Sequence, residues 1–388
     1  MNIAYSNWEW NLGHMAWAEP QYTRQEVDDA GASLVRILKR TGTEDDTSLI
    51  KHHLDVINNW RLSHNYPLNT FQINLRSSAK RVDSDALIAQ RIKRLFSIGT
   101  KLKQRSKITL SVMQDIGGCR AVLSSVDDVK KLVDFYHHTS RIKHELFKTD
   151  DYIVSPKKSG YRGVHLIYRY FSDKKKTAYN GLNIEMQIRS KYQHAWATAV
   201  ETVGTFIGEP LKSSIGDKRW LRFFMLMGSA IAMREKTPLV PKTPASKKEL
   251  IAELSTYVHD LDVERRLKDY ARALKYIRND VEDAHWYLLR LNPSKQELTI
   301  SGFKLAQSRQ AEEEYEKAEQ MVRERPGTDA VLVSVDSIAA LEHAYPNYFA
   351  DTGVFLELMN QALSGRSRGI RTTLQATQTQ LSFPDLDE

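Results

Sequence analysis

The chain is poor in cysteine. Among its 388 residues Cys119 is the single one, which excludes a disulfide within the chain and any zinc site built from several of its own thiolates. Cys119 sits in an apolar run and is expected to be a small core side chain rather than a nucleophile. Long hydrophobic runs are missing too. No stretch approaches the roughly 18 consecutive apolar residues of a spanning helix. The opening residues MNIAYSNWEWNLGHMAWAEP have neither the basic start nor the unbroken apolar stretch of a secretory signal. A cytoplasmic protein without a membrane partner is the expectation. Acidic residues are the minority: 48 Asp and Glu stand against 56 Lys and Arg, giving a net charge of +8 and a pI near 9.2. Such an excess favours a polyanionic partner, nucleic acid or nucleotide. With 41% hydrophobic and 27% charged residues the composition is that of a globular protein, long enough for two or three domains.

Periodicity predicts helices at Arg24 to Arg40, Asp45 to Arg61 and Ser84 to Ile98, the last capped by Ser84 and burying Leu87, Ile88, Ile92 and Leu95. Alternating elements follow: a strand at Asp115 to Leu123, a helix at Val126 to Thr139, strands at Val164 to Tyr170 and Leu182 to Ile188, then helices at Lys191 to Val203 and Lys218 to Arg234. This is an α/β or α+β pattern, a mixed sheet with flanking helices, filling a domain over 25–240 after an N-terminal segment 1–24. The stretch KTPLVPKTPASKK, rich in proline and lysine, reads as a linker, and a long charged helix completes 241–283. A smaller α/β unit is expected over 284–363, with strands at Trp286 to Leu291, Glu297 to Phe303 and Ala330 to Val335, and a disordered tail over 364–388.

The most informative stretch is Lys148 to Ser190. In its last strand Ile184, Met186 and Ile188 share one face, while Glu185, Gln187 and Arg189 share the other. Alternation alone also fits a half-exposed strand over solvent. The preceding turn SPKKSGYRG offers Lys157 and Lys158 for phosphates, Gly160 for a tight backbone and Tyr161 as a flat face for a base, followed by Arg162 and His165. In DIGGCRAVL, Asp115 precedes two glycines, and Arg120 stands in an apolar strand where a charge needs a partner or a ligand. Asp115 and Glu185, on different strands of one sheet, are able to share a magnesium ion, the arrangement that phosphoryl-type transfer needs. A spread of cations, Lys174, Lys175, Lys176, Lys212, Lys218, Arg219 and Arg222, fits either a nucleic-acid approach surface or plain solvation.

Taken in order, Arg81-Val-Asp-Ser84, Asp115-Ile-Gly-Gly-Cys-Arg120, Asp151 to His165, Glu185-Met-Gln187-Ile-Arg189 and Ala195-Trp196-Ala resemble the synthetase domain of the RelA/SpoT family over roughly residues 25 to 235. The resemblance implies a nucleotidyltransferase-like fold and transfer of pyrophosphate from ATP to a ribose 3′-hydroxyl. It implies that Asp115 and Glu185 bind magnesium and that Tyr161 stacks on the acceptor base. It places ATP on Arg81, Ser84, Arg91, Arg120 and Lys157, and the acceptor on Tyr161, Arg162 and His165. Glu185 would assist deprotonation, with Gln187 and Arg189 positioning phosphates. Two positions depart from the family pattern: Asp83 replaces a basic residue, and Arg91 stands for a lysine expected one turn down the same helix. His52, His53 and Asp55 look superficially like part of the metal-dependent hydrolase domain of long members, but lack its remaining ligands.

Tyr345 and Tyr348, in AYPNYFADT, form a YxxY motif near the end of the second unit. Together with the domain order it resembles CapRel, single-chain fusions of a toxic small alarmone synthetase with its antitoxin. That resemblance implies a C-terminal pseudo-zinc-finger-like domain that occludes the ATP site through Tyr345 and Tyr348. It also implies tRNA, modified at its 3′-CCA end, as acceptor, and a phage protein such as capsid protein as trigger. The alternative is a small alarmone synthetase making (p)ppGpp or (p)ppApp from GDP, GTP or ATP.

Overall fold

The structure, a computed structural model, describes residues 17–39, 47–105, 107–209, 211–279, 281–282, 284–324, 328–335 and 338–365. The expected tail from residue 366 and the first 16 residues lie outside the described residues. Among the described residues no helix is long and apolar enough to cross a membrane.

Two helices open the chain as expected, α1 (Arg24–Lys39) and α2 (Thr47–Leu62). A third that the sequence reading passed over, α3 (Asn65–Val82), buries Leu68, Phe71, Leu75 and Ala79 at helical spacing. The expected helix Ser84 to Ile98 is not there. Its residues form β1 (Leu87–Ile92) and the start of α4 (Leu95–Gln104), and α3 has already ended at Asp83. The run LIAQRI satisfies either period, and antiparallel pairing with β2 (Gly117–Leu123) decides for the strand. Then come α5 (Val126–Asp134), β3 (Glu145–Asp151), β4 (Val164–Arg169), β5 (Asn183–Ser190), α6 (Lys191–Ile207) and α7 (Lys218–Glu235). A capping box between Ser190 and Gln193 turns β5 directly into α6.

The linker expected at 236 to 248 is packed rather than loose: Val240 is buried, and Ser229 and Thr243 hydroxyls meet at 2.6 Å. The charged helix expected beyond it is two helices, α8 (Lys247–Asp260) and α9 (Val263–Ala273), followed by β6 (Lys275–Asn279). The chain continues through β7 (Trp286–Asn292), β8 (Glu297–Phe303), α10 (Ser308–Glu324), β9 (Asp329–Ser334), α11 (Ile338–Ala344) and α12 (Gly353–Leu363).

Among the described residues nine strands join one mixed sheet in the order β3-β4-β5-β2-β1-β9-β7-β8-β6. β2 and β5 run parallel, as do β6 and β8, and the other pairs are antiparallel. The seam between the two units is β1 against β9, with Gln90 opposite Ser334 and Arg91 opposite Val333. One face buries Ile184, Met186, Ile188 and Cys119 with α3 and α5, and α10 continues that layer beyond the seam. The other face carries α6 and, across the seam, α11. α12, expected inside the unit 284–363, packs back on α6, α7 and α8, burying Phe355, Leu356, Leu358 and Met359 beside Trp220, Phe223 and Phe224. Those four side chains contribute roughly 6 to 12 kcal/mol as an upper bound, so the second unit is anchored at both ends.

Candidate active site

β5 presents Glu185, Gln187 and Arg189 on the α6 face, and the sheet register delivers their neighbours: Gly118 lies opposite Glu185, and His165 opposite Gln187. His165 Nδ1 is 2.8 Å from Glu185 Oε1, and Gln187 Nε2 donates to Glu185 Oε2 at 2.5 Å. Burial works to raise the Glu185 carboxyl, but His165 and the Gln187 amide outweigh it and hold it below its ordinary range. Tyr161 Oη lies 2.6 Å from His165 Nε2. An ionised Glu185 only accepts, so His165 Nδ1 carries a proton toward it. Burial pushes the Tyr161 phenol up to about 12, so it stays protonated.

Tyr161 is placed by Gly160, whose φ of +98° is open to glycine and where a Cβ would run into the Phe224 carbonyl and Trp196. The ring meets Tyr152, His165 and Trp196 edge-on, and the Lys157 ammonium sits 4.1 Å from the Tyr152 ring centroid and 4.9 Å from that of Tyr161. Lys157, expected to meet ATP, thus stands beside Tyr152 and Tyr161. Tyr152, inside the motif Asp151 to His165, carries no expected role. Its place directly after Asp151, whose carboxylate accepts the Ile153 and Val154 amides to turn the chain, was the available signal.

Asp115 lies just before β2, with Lys93 Nζ and Lys101 Nζ each 2.8 Å from its carboxylate. Burial opposes its charge, yet the two ammoniums outweigh burial and hold it well below the usual carboxylate range. Neither lysine stands out in the sequence: Lys93 falls inside the helix expected at Ser84 to Ile98, and Lys101 lies just beyond it. On the same face Arg120 is pushed down to about 9 by burial and by the neighbouring Arg189 and Arg91. Tyr345 lies over it, ring centroid 5.2 Å from the guanidinium carbon, and donates from Oη to Gln90 O at 3.0 Å. Arg120 also donates to Ala344 O, and His194 Nε2 is 3.3 Å from His343 O. Tyr348 donates to Asp329 Oδ2 at 2.8 Å. Both tyrosines are buried.

Three expected site residues are elsewhere. Arg81 leaves on the last turn of α3, its guanidinium over Phe135 and 3.3 Å from Ser78 Oγ. Ser84 caps no helix, and its carbonyl accepts from Lys80 Nζ at 2.6 Å. Arg162 is buried and turned the other way from Tyr161, donating to Ile153 O, Thr237 Oγ1 and Pro238 O. Asp83 likewise braces a turn, accepting from Ser124 N at 2.7 Å, so the departure noted there lies outside the site. Arg91 is on a strand rather than a helix and stays with the site. Several of the cations that fit either an approach surface or plain solvation have local partners. Lys176 lies over Tyr66, Arg219 pairs with Asp217, and Arg222 pairs with Glu253. Lys101 and Arg105 instead act on Lys157, which also feels the Glu185 charge. Among the described residues no group of three or more His, Cys, Asp and Glu is placed to hold a metal, His52, His53 and Asp55 included.

This constellation falls inside a known family region. Residues 90–203 match the region found in RelA / SpoT proteins. The GTP pyrophosphokinase of Escherichia coli K12 is 25% identical over 134 residues, 34% of this chain and 16% of that protein. GTP pyrophosphokinase YjbM of Bacillus subtilis is 31% identical over 113 residues, 29% of this chain and 52% of that protein. The chain thus spans about a sixth of the first relative's length and about half of the second's. The small alarmone synthetase 1 of Bacillus subtilis, solved bound to its product pppGpp, superposes with a TM-score of 0.38 at 21% identity, covering 45% of this chain and 89% of that one. The fully matched segment ends within α6, so α7 to α12 lie beyond it.

Proposed function

We propose that the chain is an ATP-dependent pyrophosphokinase of RelA/SpoT type, transferring pyrophosphate from ATP to a ribose 3′-hydroxyl. The observation that carries this is the linked set Tyr161, His165 and Glu185 beside Asp115 with its two lysines, inside the matched region. Glu185, ionised and fixed by His165 and Gln187, takes the hydroxyl proton. The freed oxygen attacks the β-phosphorus, the bond from that phosphorus to the bridging α-phosphate oxygen breaks, and AMP leaves with the electron pair. Lys93 and Lys101 meet phosphate charge, and Arg91 and Arg120 hold the nucleotide. Tyr161, once Lys157 moves aside, offers its face to the acceptor base.

Asp115 and Glu185 fit a magnesium ion: both are ionised, and Glu185 feels the charge of Asp115. Magnesium held there would neutralise phosphate charge during transfer.

In this proposal residues 344 to 348 keep the site shut, and support comes from Tyr345 covering Arg120. The acceptor is the 3′-CCA end of tRNA, for which Lys101, Arg105 and Lys157 supply a basic rim, so that transfer would block translation. A phage protein such as capsid protein would open the unit, as the resemblance to CapRel implies. The second reading is a free nucleotide acceptor, favoured by relatives named GTP pyrophosphokinases. The test is transfer of γ-labelled ATP to tRNA, GDP, GTP or ATP. Tyr345→Ala is expected to transfer label where the parent is silent, and adding Glu185→Gln should lower that rate by at least about a hundredfold. Undiminished transfer by the double variant would sink the assignment. A silent Tyr345→Ala alongside an active parent would sink the closure.

A further inference from the structure

The segment 93 to 95 joins the catalytic face to the C-terminal unit. Lys93 reaches back to Asp115. Leu95 N, the first amide of α4, donates to Glu319 Oε1 of α10 at 2.9 Å. Between them Arg94 forms an ion pair with Asp329, the first residue of β9, and donates to Tyr348 Oη at 3.2 Å. Two carboxylates of the second unit thus occupy the two anion-seeking groups of this segment, a guanidinium and a helix N-terminal amide.

The surroundings are cationic. Arg91 acts on Arg120, Arg189, Tyr345 and Tyr348, so the donor side of the site gathers guanidiniums while Asp329 comes from the covering unit. The Arg94 side chain keeps 27% of its surface exposed, which leaves it reachable once Asp329 departs. A carboxylate and a phosphate present the same paired oxygens to an arginine fork.

We propose that Arg94 is a donor-phosphate residue of the catalytic centre, and that Asp329 occupies it as a stand-in for phosphate while the C-terminal unit is docked. This rests on the reading of the site as a pyrophosphokinase closed by that unit. It goes further by assigning a role to Arg94, which the sequence did not single out, and by giving closure a second arm beside Tyr345. Arg94 acts on the β- and γ-phosphates, since its neighbour Lys93 holds the carboxylate that the polyphosphate faces.

A contact that serves only as a latch makes the opposite prediction for Arg94. Breaking a latch from either side opens the unit, so Arg94→Gln and Asp329→Asn would both promote nucleotide binding. If Arg94 binds phosphate, only Asp329→Asn does. Asparagine keeps an acceptor for Tyr348, so this substitution removes charge with little loss of shape. The experiment measures binding of α,β-methylene ATP and of AMP to the full chain. In a Tyr345→Ala background, Arg94→Gln is expected to weaken the methylene analogue about tenfold and leave AMP unchanged, a loss of about 1.4 kcal/mol. Arg94→Lys should recover part of it. Asp329→Asn alone should tighten the analogue, and adding Arg94→Gln should cancel the gain. Equal binding of the analogue with and without Arg94, or equal losses for AMP, would overturn the proposal. If Tyr345→Ala itself bound neither nucleotide, the pyrophosphokinase reading would fall, and this one with it.

Discussion

Replacing Glu319 by leucine while Arg61 stays in place should open the seam between the two units. Arg61 and Glu319 are 3% and 8% exposed, and their bidentate contact is 2.8 and 3.0 Å long. Glu319 also accepts from Tyr315 Oη at 2.7 Å and from Leu95 N, while Arg61 Nε donates to Lys93 O at 3.0 Å. Removing one member of such a pair leaves the other charge buried without a counter-ion, at a cost of about 3 to 5 kcal/mol. When the unit undocks, both charges are solvated, so this cost falls on the docking equilibrium. About 3 kcal/mol shifts that equilibrium by more than a hundredfold. Converting both residues together, Arg61→Met with Glu319→Leu, removes the stranded charge and should return docking to within about 1 kcal/mol of the parent. Amide exchange in β1 and β9 reads docking directly, and label transfer reads its consequence. Parent-like exchange in Glu319→Leu would refute the reasoning, as would a double variant that opens as widely as the single one.

Gly160→Ala would place a methyl 2.9 Å from Phe224 O and 3.0 Å from Trp196 at a φ of +98°. A loss of roughly 2 kcal/mol or more is expected, together with weaker acceptor binding, and an unchanged melting temperature would contradict this placement of the turn. At the seam, burial first and then Glu316 push the Glu312 carboxyl up from 4.5 to about 7. A raised carboxyl keeps in the folded protein a proton that the unfolded chain releases. Its stabilising contribution is therefore full below the unfolded value of 4.5 and is lost as pH rises through about 7. Glu312→Gln should flatten that part of the stability profile, and thermal unfolding of both proteins at about pH 5 and pH 7.5 checks it.

Much of the catalytic face was legible in the residues themselves. A strand fixes its side chains by period two, so the pairing of Glu185 with Gln187 and Arg189 on one face, against Ile184, Met186 and Ile188 on the other, needed no tertiary information. The order of Tyr161, His165 and Glu185 along the chain sufficed for the resemblance, and the helices from α5 to α7 followed from their own stripes. Tertiary structure decided the rest. LIAQRI becomes a strand because β2 and β9 supply hydrogen-bond partners on both sides, and that choice moves Lys93, Arg94 and Lys101 into the site and leaves Arg81 and Ser84 out. Arg162 shares a turn with Tyr161 yet follows the carbonyls of 153 and 238, which only the packed chain brings near. The joining of both units into one sheet rests on contacts such as Arg61 with Glu319 and Tyr345 with Gln90, more than 250 residues apart. Local periodicity carries no record of such pairs, because their energy exists only when distant surfaces meet and lose water.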